Sequence, residues 1–73
     1  MERELNPIIW LKQAEKVMND DRLTAHGKDV CLAGLLDQME YIYAIPALYN
    51  KNYAMRHPSV IAVYRMIGDM RNL

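Results

Sequence analysis

Seventy-three residues with 52% hydrophobic and 25% charged side chains describe a globular domain, not a disordered or fibrous segment. Nine Lys and Arg balance nine Asp and Glu, so no net field draws the chain to nucleic-acid phosphates or an anionic membrane, and nucleic acid is not expected as a partner. A single cysteine, Cys31, excludes an internal disulfide and a cysteine-based zinc site, and it suits a reducing compartment.

Met1-Glu2-Arg3-Glu4 is too polar for a signal peptide, and no apolar run approaches the roughly 20 residues of a membrane helix. The expectation is an intracellular protein without membrane contact, read as one domain over residues 1–73, with excision from a longer protein left open. Asn6-Pro7 is a helix-start signal, because Asn caps free N–H groups and Pro at the first helical position sacrifices no hydrogen bond. Ile8, Leu11, Ala14 or Glu15, and Met18 follow at helical spacing, widened by Trp10 and Val17, and this helix ends near Asn19. A polar connection, Asn19-Asp20-Asp21-Arg22, leads to a second helix opened by Thr24 or Gly27.

That second helix carries the strongest pattern. Cys31, Leu32, Leu35, Leu36, Met39, Ile42 and Tyr43 recur at three- and four-residue steps and mark a central core helix. Gly34 weakens it by up to about 1 kcal/mol relative to Ala, which a close helix crossing would explain. Pro46 ends it near Tyr43 or Ala44 and starts a short third helix through Ala47, Leu48 and Tyr49. Asn50-Lys51-Asn52 breaks the pattern before a brief fourth helix at Tyr53-Ala54-Met55. Pro58 opens the last helix, with Val60, Ile61, Val63, Tyr64, Ile67 and Met70 on its apolar side. The predicted fold class is all-α, a compact bundle of about five short helices.

No catalytic or metal-binding set accompanies these elements, so no enzyme activity, cofactor or metal is expected. His26 and His57 lack further ligands at recognisable spacing, and His57, placed before Pro58, reads as a cap or a solvent-facing residue. Cys31 sits on the apolar stripe as a small hydrophobe without an activating neighbour. Asp20 and Asp21 are adjacent on a loop and diverge, which suits a solvated turn better than acid–base work. Gly27-Lys28 lacks the preceding glycine and strand of a phosphate loop. Five of the six methionines, Met18, Met39, Met55, Met66 and Met70, lie in the expected helices and are expected mainly in the core, with an adaptable binding surface as the alternative, and some of the five tyrosines are expected at the rim of a groove, where one edge is buried and the other wet.

Four segments together carry a resemblance: Leu35-Leu36-Asp37-Gln38-Met39-Glu40-Tyr41-Ile42, Ile45-Pro46-Ala47-Leu48, Tyr53-Ala54-Met55-Arg56-His57 and Val60-Ile61-Ala62-Val63-Tyr64-Arg65-Met66-Ile67. Their order resembles the helical domain shared by the N-terminus of transcription elongation factor S-II and the integrase-binding domain of lens-epithelium-derived growth factor. Gly68-Asp69-Met70-Arg71 departs from the tryptophan-plus-basic ending common in the elongation-factor branch. The resemblance implies a nuclear scaffold in transcription or chromatin regulation that docks short linear motifs from disordered protein partners. It implies a site made by two loops at one end of the bundle, here Asn19 to Leu23 and Arg56 to Pro58. Asp20 or Asp21 would accept a hydrogen bond from a partner backbone, Met18, Leu23 and His57 would border an apolar pocket, and Arg56 on the second loop would also meet the partner. Two alternatives stand beside it: a self-associating helical accessory protein with a tyrosine- and methionine-lined homodimer seam, and a helix-turn-helix regulator contacting phosphates through Arg56, Arg65 and Arg71.

Overall fold

The computed structural model describes residues 6–71. Its elements are α1 (Ile8–Met18), α2 (Ala25–Ile42), α3 (Lys51–Arg56) and α4 (Pro58–Met70), with no strand among the described residues. The helix starts follow local chemistry. Asn6 accepts from the Ile8 N–H through its side chain at 3.0 Å, and Thr24 accepts from the Gly27 N–H at 2.9 Å. Asn50 accepts from the Tyr53 N–H at 2.9 Å, and Pro58 occupies the first turn of α4.

The bundle therefore has four helices instead of five, and the missing one is the helix expected at Pro46. Tyr43 closes α2, Ala44 adopts a left-handed φ of 54°, and the Ile45 N–H donates to the Glu40 carbonyl at 3.0 Å. This is a Schellman-type closure, and it turns the chain out of the helix. Pro46 then supplies no N–H, and Asn50 already caps α3, so Ala47, Leu48 and Tyr49 are too few to nucleate a helix of their own. Asn50-Lys51-Asn52, expected to interrupt the helical pattern, instead begins α3.

Direction follows from what meets at each end. Asn6 and Pro7 share a surface recess with Pro58 and Ser59, while Met18 shares another with Met70. α1 and α4 thus run parallel, and both run antiparallel to α2. Trp10 Nε1 donates to the Tyr43 hydroxyl at 3.1 Å, joining the start of α1 to the end of α2. At the other end the Arg71 guanidinium donates to Asp29 at 2.7 and 3.2 Å, so the buried carboxylate is paired and its pKa is held below the ordinary range by those bonds.

The core fills the space between these three helices. α1 contributes Trp10 and Ala14, α2 contributes Leu32, Leu35, Leu36 and Met39, and α4 contributes Val60, Val63 and Ile67. Tyr53 of α3 closes one end. Cys31 and Ile42, read as part of the buried stripe, are exposed. Successive residues rotate by about 100° around a helix, so the run of three- and four-residue steps spreads past the core-facing sector and carries those two to its flanks. Gly34 marks no crossing inside the fold, because nothing lies within 4 Å of where its Cβ would stand. The methionines are less buried than expected: Met39 lies in the core, but Met18, Met55 and Met66 are exposed.

Candidate functional site

The residues singled out from sequence divide between the two ends of the bundle. Met18, Asp20, Asp21 and Leu23 lie where α1 passes into α2, beside the C-terminus of α4. Arg56 and His57 lie at the N-terminus of α4, beside Pro7. The 13 residues of α4 separate these ends by about 20 Å at 1.5 Å per residue. The two loops are therefore not side by side, and the paired-loop site implied by the resemblance does not form. Its requirement of a hairpin returning the last helix start to the first loop conflicts with the parallel course of α1 and α4.

Each half is also engaged locally. The Asp20 carboxylate accepts from the Arg22 backbone N–H at 2.9 Å and from its guanidinium at 3.2 Å, an Asx-type turn closed on its own loop. Those bonds to Arg22 hold its carboxyl below the ordinary carboxylate range. Asp21 is exposed beside it, and Leu23 is half-buried with its N–H donating to the Asp20 carbonyl at 3.1 Å. His57 joins α3 to α4 but makes no side-chain cap; its ring lies 4.6 Å from the Tyr53 ring, tilted by 38°. Arg56 is exposed.

A different concavity gathers apolar side chains. Between the irregular chain after α2 and the outer side of α4 lies a groove of about 250 Å³, lined by Ile45, Pro46, Leu48 and Tyr49 on one wall and by Ile61, Tyr64 and Arg65 on the other. Leu48 is 83% exposed and Tyr49 77% exposed, adjacent on a segment with no helix to bury them. The groove is preformed. Tyr53, at its floor, donates its hydroxyl to the Tyr43 carbonyl at 2.6 Å, and Asn50 fixes the start of α3 directly after Tyr49. On the α4 wall, the Tyr64 hydroxyl donates to Glu40, and that bond, with burial and the nearby carboxylates, pushes the Tyr64 pKa up to about 12. Arg65 enters no hydrogen bond or ion pair among the described residues, leaving one cation at the groove's edge. The expectation of tyrosines at a groove rim is met by Tyr49 and Tyr64, while Tyr53 is buried at the floor.

The groove is not evident from the sequence, because Pro46 to Tyr49 carries the pattern of a short helix with its apolar side inward. The usable signal was length: only three residues separate Pro46 from the capping Asn50, so Leu48 and Tyr49 have no second turn against which to pack. Among the described residues no three His, Cys, Asp or Glu side chains converge as a metal site requires, and no helix is long and apolar enough to cross a membrane. Comparison with known proteins finds no matching family model, no matching curated protein and no matching solved structure.

Proposed function

We propose that this chain is a protein-interaction module that holds a short linear segment of a disordered partner in the groove between residues 45–50 and α4. The observation that carries the reading is the exposed Leu48-Tyr49 pair on the wall of an apolar groove of about 250 Å³. That volume lies below the roughly 300–1,000 Å³ of small-molecule sites, so it suits one or two side chains of a peptide. Exposed tyrosine next to leucine is the composition of an interface centre, with large apolar area and little rotamer entropy to lose. Ordering by the Tyr53–Tyr43 and Tyr64–Glu40 hydrogen bonds lowers the cost of closing on a ligand. Groove residues supply no general base or nucleophile beside an acceptor site, which favours binding over catalysis. A transcriptional or nuclear setting belongs to the proposal through the resemblance alone.

The test is selection of displayed random peptides on the immobilised chain, repeated on Leu48→Glu and Tyr49→Glu. Enrichment of an apolar consensus on the wild type, weakened at least tenfold by either folded variant, is the expected result. A consensus that binds both variants as tightly as the wild type places the site elsewhere and removes the proposal.

A further inference from the structure

One charged side chain lines the groove between residues 45–50 and α4, and it is a cation. Arg65 stands on the α4 wall one turn beyond Ile61, and no carboxylate lines the groove beside it. Three acids stand on neighbouring turns, and none neutralises it. Glu40 of α2 accepts from the Tyr64 hydroxyl, while Asp37 of α2 and Asp69 of α4 form no ion pair with Arg65 among the described residues. On the opposite wall Lys51, directly after Asn50, is exposed and adds a second positive charge.

The hydrogen-bonding groups left over in the groove have the same bias. Asn50 Oδ1 is taken by the Tyr53 N–H, which leaves its NH2 group to donate. The hydroxyl hydrogens of Tyr53 and Tyr64 are spent on the Tyr43 carbonyl and on Glu40. What remains on the side chains is the Arg65 guanidinium, the Asn50 amide hydrogens and the Tyr49 hydroxyl, all able to donate. A positive groove rich in donors is complementary to a carboxylate. Resting on the groove reading above, we propose that the occupant is an acidic linear peptide, its apolar anchor held against Leu48, Tyr49 and Ile61 and an Asp or Glu side chain paired with Arg65. Ile61 and Arg65 are four residues apart, about 6 Å along α4, and an extended peptide advances about 3.3 Å per residue, so the acid falls about two residues from the anchor.

Exposure sets the size of the effect. Arg65 is exposed, so its pair with the acid is a rim contact, giving selectivity and salt dependence and about two- to fivefold in affinity. The apolar anchor carries the rest of the binding. Loss of Arg65 and loss of Leu48 therefore leave different signatures: the first removes the preference for an acid, the second removes the peptide.

The experiment is selection of displayed random peptides on the full chain, on Arg65→Gln and on Arg65→Glu, with circular dichroism of each variant to verify folding. The wild-type winner is then synthesised with an amidated C-terminus, carrying Glu or Gln at its acidic position, and titrated by fluorescence anisotropy. The wild type enriches an acid beside the apolar anchor, Arg65→Gln keeps the anchor without the acid, and Arg65→Glu enriches Lys or Arg in its place. Exchanging Glu for Gln in the peptide costs about two- to fivefold on the wild type and nothing on Arg65→Gln, and the difference fades at high salt. A consensus abolished by Leu48→Glu but without an acid overturns this inference and leaves the groove reading standing. So does an acid whose removal costs as much on Arg65→Gln as on the wild type, or binding lost on amidation, which assigns the carboxylate to the peptide terminus. A consensus indifferent to Leu48→Glu, or no consensus at all, removes the groove reading and this inference with it.

Discussion

Ala44→Gly should stabilise this protein, against the usual effect of introducing glycine. Ala44 holds φ at 54°, where its Cβ crowds the backbone, at a cost of roughly 1–2 kcal/mol for an L-residue. Glycine removes that cost but adds unfolded-chain entropy worth roughly 0.4–1 kcal/mol. The expected net gain is about 0.5–1 kcal/mol, with the Ile45 to Glu40 closing hydrogen bond retained. For a domain of this size that is about a 2–8 °C rise in melting temperature. Thermal unfolding by circular dichroism reads it directly. Ala47→Gly, in the exposed irregular segment, is the control and should lose stability or leave it unchanged. Ala44→Val should destabilise, because a β-branched residue fits the left-handed region worst. An Ala44→Gly variant no more stable than the wild type refutes the account of how α2 ends, and with it the reason Leu48 and Tyr49 are left outside.

Ile67→Ala should lose about 2–5 kcal/mol, enough to unfold a chain this small, whereas Met66→Ala should stay within about 0.5 kcal/mol, since Ile67 is 0% exposed and Met66 47%; urea titration of the pair checks the rotation of α4. Tyr64→Phe should cost about 1 kcal/mol at neutral pH and remove a tyrosine that ionises near pH 12 in ultraviolet titration of the folded protein. Because the folded pKa lies above the ordinary value of about 10, this contribution is fully present below pH 10 and is lost as pH rises through 12. Asp29→Asn should lower the melting temperature at pH 7. Asp29's pKa is depressed, chiefly by its hydrogen bond from Arg71, so its contribution holds above the ordinary carboxylate range. The difference between variant and wild type should shrink as the solution is acidified below that range.

All four helices were legible, the brief one at Tyr53-Ala54-Met55 without its true start at Lys51, and the other three because each start is written in one or two residues. Asn6-Pro7, Thr24 and Pro58 open helices where local capping chemistry requires, and the Leu32 to Met39 and Val60 to Ile67 patterns bury as spaced. The stretch from Ala44 to Asn50 was not legible, because a proline that begins a helix and a proline that follows a closed one look alike until the left-handed residue before it is known. Cys31 and Ile42 were misassigned for a related reason: they match helical steps, and spacing alone does not say how far the core-facing sector extends. The paired loops failed at the level of topology. Asp20, Asp21 and His57 meet only if the last helix starts beside the first loop, and handing the chain back through residues 43–57 sets its start beside Pro7 instead.

The most direct test of a groove-based interaction module is a ¹⁵N-correlation NMR titration of the full chain with its best selected peptide. Shifts concentrated at Leu48, Tyr49, Ile61, Tyr64 and Arg65, the walls of the groove, are the predicted result. Shifts concentrated instead at Met18 to Leu23, or at Arg56 and His57, would contradict the account and return the site to one of the loop ends.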